Sequence, residues 1–95
     1  MIKNRDTTIS EYTAERARQN RRARHWTMVD LSEELRDHRS RKFPQGYDMS
    51  PAVVNVLEHG VSAQHGYPRR KRSVTVDDLV ALSEVFGIDV TELLP

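Results

Sequence analysis

The stretch "MSPAVVNVLEHG", residues 49–60, predicts a short helix with a signal at each end. Ser50 is a favourable N-cap, and Pro51 suits the first helical position, where its missing N–H costs nothing. Gly60 suits the residue that follows a helix. The stretch contains neither Lys nor Arg, yet a basic cluster lies on each side of it. A helix without Lys or Arg between two concentrations of positive charge indicates that its flanks and its face have different partners.

Four further segments predict helices on either side of this stretch. Residues 12–24 favour a helix, and residues 27–35 and 75–87 each open with a Thr-x-x-Asp capping box and carry an apolar stripe of helical period. A last short helix is predicted in "DVTELL", residues 89–94. No segment shows the alternation of a strand. The sequence therefore predicts an all-α domain of five short helices.

Irregular, polar segments make up the rest of the chain. The first eleven residues are predicted to be a flexible N-terminal segment, so that the domain covers residues 12–95. Residues 36–49 and 61–73 are predicted to be two long loops, and both are basic.

The distribution of charge is strongly asymmetric. All 15 Lys and Arg residues lie within residues 1–72 together with nine acids, a formal charge of +6, whereas residues 73–95 hold five acids and no Lys or Arg, a charge of −5. Charge separated in this way indicates one surface suited to an anion and another turned away from it. A basic half that is merely solvated is the alternative.

Several functional classes find no support in the sequence. Cysteine is absent, which excludes disulfides and thiolate metal sites, and the four histidines lack metal-ligand spacing. There is no His-Glu-x-x-His motif and no glycine-rich phosphate loop, so we expect neither an enzyme nor a cofactor. No apolar run approaches the roughly 18 residues of a membrane span, and the N-terminus lacks the apolar core of a signal peptide. A cytoplasmic protein is expected.

Three motifs carry a family resemblance. "RARHWTMVDLSEEL", "MSPAVVNVLEHG" and "RRKRSVTVDDLVALSEVFGIDVTELL" together resemble the helix-turn-helix DNA-binding domain of the lambda-repressor/Xre family, over about residues 12–95. The resemblance implies a compact five-helix fold whose third helix enters the DNA major groove. The chain departs from the family in its two long loops, because the family joins the second and third helices by a tight turn, whereas here 14 residues separate Leu35 from Ser50.

The resemblance implies which side chains face the DNA bases. Asn55 is the only amide among them, and Asn forms a bidentate pair with adenine, while apolar groups pack on the thymine methyl. We therefore expect an A/T-containing half-site, with a merely solvated Asn55 as the alternative. The expected base-contacting residues are Ser50, Pro51, Ala52, Asn55 and Val56.

Basic residues on both sides of this helix are expected to contact phosphates. Each neutralised phosphate steepens the salt dependence of binding, with a slope of about −0.9 in log K against log salt. A backbone N–H at the start of the second helix is expected to add a contact. A solvated loop, or an arginine inserted into a narrow minor groove, is the alternative for the "RRKR" run. The expected phosphate-contacting residues are Thr27, Met28, Arg39, Arg41, Lys42, Arg69, Arg70, Lys71 and Arg72.

Two further residues are implied to have a structural role. Arg21 and Glu58 match a first-helix arginine and a third-helix glutamate that pair in this family, so we expect them to fix the third helix on the first. Losing one partner of such a pair would leave an uncompensated charge.

The expected function is that of a sequence-specific transcription regulator that binds double-stranded DNA, with repression as the favoured mode. One recognition helix reads few base pairs, so a weak homodimer on a palindromic operator is expected, with Leu93 and Leu94 as candidate contacts. The alternative for these leucines is closure of the domain's own core. The competing function is an antitoxin or adaptor whose main role is to bind protein.

Overall fold

The computed structural model describes the backbone of residues 5–59 and 74–95, and the side chains of residues 11–59 and 74–95. Over these residues the chain forms four α-helices, a short 3-10 helix and no strand, which confirms the all-α class. No helix in these ranges is both long enough and apolar enough to cross a membrane. The elements are α1 (Arg5–Ala23), α2 (Met28–Asp37), α3 (Pro51–His59), α4 (Val76–Phe86) and the 3-10 helix (Val90–Leu93).

The predicted capping boxes of α2 and α4 are both confirmed. The Asp30 N–H donates to Thr27 Oγ1 at 3.0 Å, and the Thr27 N–H donates to the Asp30 carboxylate at 2.8 Å. Thr75 and Asp78 form the same reciprocal pair at 3.0 and 3.1 Å. Gly87 ends α4 in the left-handed conformation, as its sequence position predicts. These signals succeed because each acts within three residues or at one helix end.

The two ends of the fold differ from the prediction. Helix α1 begins at Arg5 rather than at Tyr12, so residues 5–11 are helical. No Gly or Pro interrupts this segment, and each residue added to an existing helix gains a hydrogen bond. The last short helix, predicted over residues 89–94, is a four-residue 3-10 helix (Val90–Leu93), and the carboxylate of its N-cap residue Asp89 accepts from the Thr91 N–H at 2.9 Å.

The core lies where the four helices, the 3-10 helix and the α2–α3 connection meet. The apolar contribution of each element is small, so the fold depends on all of them together. The buried apolar residues of the central cluster are Ala17, Leu31, Leu35, Met49, Val54, Leu57, Ala81, Leu82, Phe86 and Leu93.

Leu93 belongs to this core rather than to an outer surface. Its side chain is fully buried, and its carbonyl accepts the Thr13 hydroxyl of α1 at 2.8 Å. Leu94 is only partly buried. Leu93 is therefore unavailable as a contact for a second copy. The alternative considered for it, that it closes the domain's own core, is what the structure shows.

Arg24 closes the connection between α1 and α2 in a way that the sequence did not indicate. Its guanidinium donates to the Phe86 carbonyl at the end of α4 and lies over the Phe86 ring, 4.9 Å from the ring centroid. The Trp26 ring stacks on the Phe86 ring with centroids 6.1 Å apart. A cation at the C-terminal end of a helix also complements the helix dipole. This cluster fixes the start of α2 against α4.

Candidate nucleic-acid interface

Helix α3 has one buried face and one exposed face. Val54, Leu57 and Glu58 are buried against the core. The residues expected to contact bases lie on the other side: Ser50, Pro51, Ala52 and Asn55 are exposed, and Val56 is partly buried. The exposed face is uncharged, and its N-terminal end carries only small side chains. Such a face allows the backbone of another molecule to approach α3 closely.

Ser50 occupies the N-terminal end of α3, where the sequence predicts a cap. Its hydroxyl accepts from the Val53 N–H at 3.2 Å, and its carbonyl accepts from the Val54 N–H at 2.9 Å. Pro51 follows as the first helical residue. The exposed end of the helix is therefore capped by its own residues.

Arg21 and Glu58, the pair implied by the family resemblance, form a buried bidentate salt bridge. Arg21 Nε donates to Glu58 Oε2 at 2.7 Å and Nη2 donates to Oε1 at 3.0 Å. The third nitrogen, Nη1, donates to the Trp26 carbonyl at 2.8 Å. The hydrogen bond to Glu58 raises the pKa of Arg21. All three guanidinium nitrogens are occupied within the fold, so the role of Arg21 is to fix α3 on α1.

A second arginine of α1 fastens the C-terminal end of α3. Arg18 Nη1 donates to the Glu58 carbonyl at 3.1 Å, next to the salt bridge of the Glu58 side chain. Cations near the last carbonyls of a helix satisfy acceptors that have no partner within the helix. The orientation of α3 is therefore set from α1 at two adjacent points.

The start of α2 offers fewer donors than the sequence suggests. The N–H groups of Thr27 and Asp30 are both used by the capping box, and the Asp30 carboxylate adds negative charge at this end. The N–H groups of Met28 and Val29 are the first-turn donors outside the box. A phosphate contact by the Thr27 N–H would require the box to open, so Met28 is the better placed of the two predicted residues.

The chain between α2 and α3, here called the α2–α3 loop (residues 38–50), carries three of the predicted phosphate-contacting residues. The side chains of Arg39, Arg41 and Lys42 are all exposed. Among the residues that the structure describes, no carboxylate lies within salt-bridge distance of any of them. Three neighbouring exposed cations without an acidic partner make the first part of this loop locally positive.

This loop is packed on the domain rather than extended away from it. The Tyr47 N–H donates to the Leu35 carbonyl at 2.9 Å, and the Ser32 hydroxyl donates to the Met49 carbonyl at 2.6 Å. Met49 itself is buried in the core. The Phe43 and Tyr47 rings meet edge to face with centroids 4.9 Å apart. The basic side chains therefore project from a loop whose far end is anchored.

The Tyr47 hydroxyl connects the α2–α3 loop to α4. It donates to Asp78 Oδ1 at 2.5 Å, and the Asp78 side chain is fully buried and also caps α4. Burial, followed by the hydrogen bond to Asp78, raises the pKa of Tyr47 to about 12. The pairing of Tyr47 with Asp78 was not expected from the sequence. The local signal was the presence of two aromatic residues, Phe43 and Tyr47, in a largely polar loop.

Titration of Tyr47 tests this connection. The unfolded chain loses the Tyr47 proton near pH 10.0, whereas the folded protein keeps it to about pH 12. The contribution of the group to stability is therefore complete below pH 10 and falls as the pH rises toward 12. Tyrosinate absorbance should therefore show a late component from Tyr47. Tyr47→Phe should remove that component, and its persistence in this variant would contradict the assignment.

The second predicted basic cluster lies outside the described residues. Arg69, Arg70, Lys71 and Arg72 belong to residues 60–73, as does Gly60, the predicted end of α3. The structure therefore shows one exposed basic cluster in the loop that leads into α3, and the second cluster remains a prediction.

Comparison with known proteins leaves the family of this chain open. No protein-family model, no curated protein and no solved structure matches it. The function must therefore be inferred from the exposed face of α3, the distribution of charge and the unpaired cations of the α2–α3 loop.

Proposed function

We propose that this protein is a sequence-specific transcription regulator that binds double-stranded DNA and acts as a repressor. The observation that supports it best is that the exposed face of α3 carries no charge, while the loop that leads into α3 exposes three cations. These cations have no acidic partner among the described residues. Phosphate contacts supply affinity and register, whereas base edges supply sequence information. A helix that reads bases therefore needs a slim surface and a hydrogen-bonding amide more than it needs charge. The positive charge is needed in the segments that flank it.

In this proposal α3 enters the major groove with its N-terminal half. Ser50, Pro51 and Ala52 are small and exposed, which lets the helix backbone approach the base edges. Asn55 presents the amide that pairs with adenine N6 and N7, and Ala52 or Val56 packs on a thymine methyl. The buried pair of Arg21 and Glu58 holds this face in a fixed orientation.

The flanking positive charge is assigned to the phosphates. Arg39, Arg41 and Lys42 of the α2–α3 loop have no acidic partner among the described residues, so no internal salt bridge has to break when they bind an anion. Arg69, Arg70, Lys71 and Arg72 are assigned the same role from sequence alone. The acidic C-terminal part, with a formal charge of −5, is then turned away from the duplex.

The lambda-repressor-like arrangement, with α2 and α3 as the helix-turn-helix, is part of the same proposal. It is supported by the direct packing of α2 against α3, which the Ser32–Met49 hydrogen bond reinforces. A palindromic site read by two copies is proposed as well, since one α3 reads only a few base pairs. Leu93 takes no part in that contact.

Selection of bound sequences from a random duplex pool tests this function. We expect enrichment of an A/T-containing site and retardation in gels that weakens steeply with salt. A palindrome with half-sites about 10–10.5 base pairs apart would support two copies. A chain that retards no duplex at any salt concentration would refute the proposal and favour the protein-binding adaptor instead.

Asn55→Ala is expected to reduce specificity rather than general affinity. Loss of one bidentate base contact should cost about 1–3 kcal/mol on the selected site and little on random DNA. Titration of both duplexes at one salt concentration measures the difference. Arg41→Gln is the matched control, because loss of an exposed phosphate contact should weaken binding to both duplexes alike. Equal losses for Asn55→Ala on both would remove Asn55 from base reading.

A further inference from the structure

The α2–α3 loop carries its three cations within its first five residues, ahead of the contacts that fasten its end nearest α3. Tyr47 and Met49 form the fastened end, through the Leu35 carbonyl, the Asp78 carboxylate and the core. Arg39, Arg41 and Lys42 lie four or more residues earlier and contact no acidic group in the described part of the chain. The position of the three cations relative to α3 therefore depends on how firmly the loop is held.

The hydrogen bond of Tyr47 joins the loop to a distant segment of the chain. Asp78, its partner, lies 31 residues later in the chain and is fixed in turn by the capping box of α4. At the start of the loop, His38 Nε2 lies 3.2 Å from Glu84 Oε1, so α4 contacts the loop at a second point. A loop tied to a helix at two points keeps its exposed residues in one arrangement before any ligand arrives.

We propose that Tyr47 is a positioning residue for DNA binding, which holds Arg39, Arg41 and Lys42 ready for the phosphates of the duplex. The inference rests on the proposed function. It adds that the loop is already in its binding conformation before it contacts the duplex. An anchored loop avoids the loss of conformational freedom that an unanchored loop would suffer on binding. A variant without the Tyr47 contact keeps all three cations. It has a smaller fraction of molecules in which the loop is in its binding conformation.

This mechanism predicts a distinct signature in the salt dependence of binding. Tyr47→Phe removes one hydroxyl and no charge, so the number of neutralised phosphates stays the same and the slope of log K against log salt is unchanged. The affinity for a duplex should fall about three- to tenfold at every salt concentration, in line with the loss of one hydrogen bond. Replacing Arg39, Arg41 and Lys42 together by Gln should instead flatten the slope.

The experiment compares variants of the full chain on one duplex of about 25 base pairs between about 50 and 200 mM salt, a range over which phosphate contacts make affinity fall steeply. Phe43→Ala loosens the same loop without touching Asp78, and it should reproduce the signature of Tyr47→Phe. Thr13→Val is the control, since it removes a buried hydroxyl that donates to the Leu93 carbonyl at 2.8 Å, away from the loop. It should lower the melting temperature and leave affinity unchanged.

Each outcome decides one part of the inference. Weaker binding at constant slope for Tyr47→Phe and Phe43→Ala, with Thr13→Val like the wild type, supports the positioning role. Wild-type affinity in both loop variants overturns the positioning role while the proposed function stands. An equal loss of affinity in Thr13→Val also overturns the positioning role. An unchanged slope after replacement of the three cations shows that they touch no phosphate. A wild-type chain that binds no duplex refutes the proposed function itself.

Discussion

Gly46→Ala should strongly destabilise the protein and release the α2–α3 loop from α2. Gly46 has a φ of +84°, and a Cβ built on it would lie 1.9 Å from the Arg36 carbonyl oxygen. That oxygen belongs to the backbone of α2, so it cannot rotate away as a side chain would. Left-handed strain contributes about 1–3 kcal/mol, and displacement of packed atoms adds about 1–3 kcal/mol. Thermal unfolding should show a fall of many degrees, since about 1 kcal/mol shifts the melting temperature of a domain of this size by about 4–8 °C.

Gly87→Ala is the matched control for this variant. Gly87 has a similar φ of +70°, but no atom lies within 4 Å of the Cβ that would be added. It should therefore show the strain alone, about 1–2 kcal/mol. The difference between the two variants measures the close approach of the loop to α2. Equal losses would show that the loop does not pack against the Arg36 carbonyl.

Glu58→Gln is expected to have an effect of the same order, by a different mechanism. The substitution removes the charge that compensates Arg21, and one amide nitrogen then faces a guanidinium donor where an oxygen accepted before. Breaking a buried pair from one side typically costs about 3–5 kcal/mol, which is a large share of the roughly 5–15 kcal/mol that stabilises a small domain. Because an arginine side chain does not lose its proton in proteins, the guanidinium stays charged in the variant and cannot relieve the penalty. Denaturant unfolding measures the loss.

The double variant Arg21→Met with Glu58→Leu separates the lost bond from the uncompensated charge. Apolar replacement of a whole buried pair is often neutral or stabilising, so the double variant should regain most of the stability lost by Glu58→Gln. It also removes the hydrogen bond from Arg21 to the Trp26 carbonyl, so recovery should be incomplete. A double variant as unstable as the single one would show that the bonds, rather than the charge, account for the effect.

The family resemblance anticipated the pairing of Arg21 with Glu58, which no local pattern shows. The two residues are 37 positions apart, and the spacing of charges along the chain does not select one glutamate among several. The same holds for the exposed face of α3. Val54 and Leu57, three residues apart on one side of the helix, both lie in the core, but the expectation that Asn55 faces DNA came from the resemblance and stays a prediction.

The sequence by itself determined where α2 and α4 begin and where α4 ends. Thr27 with Asp30 and Thr75 with Asp78 cap helices within four residues, and Gly87 ends one, so each signal acts before any tertiary contact forms. Only the tertiary structure decided that Gly46 must lack a side chain, because the obstacle is the backbone of α2. It likewise decided that the Tyr47 hydroxyl meets Asp78, 31 residues away. Contacts between distant segments depend on how the helices pack, and no short stretch of sequence specifies that packing.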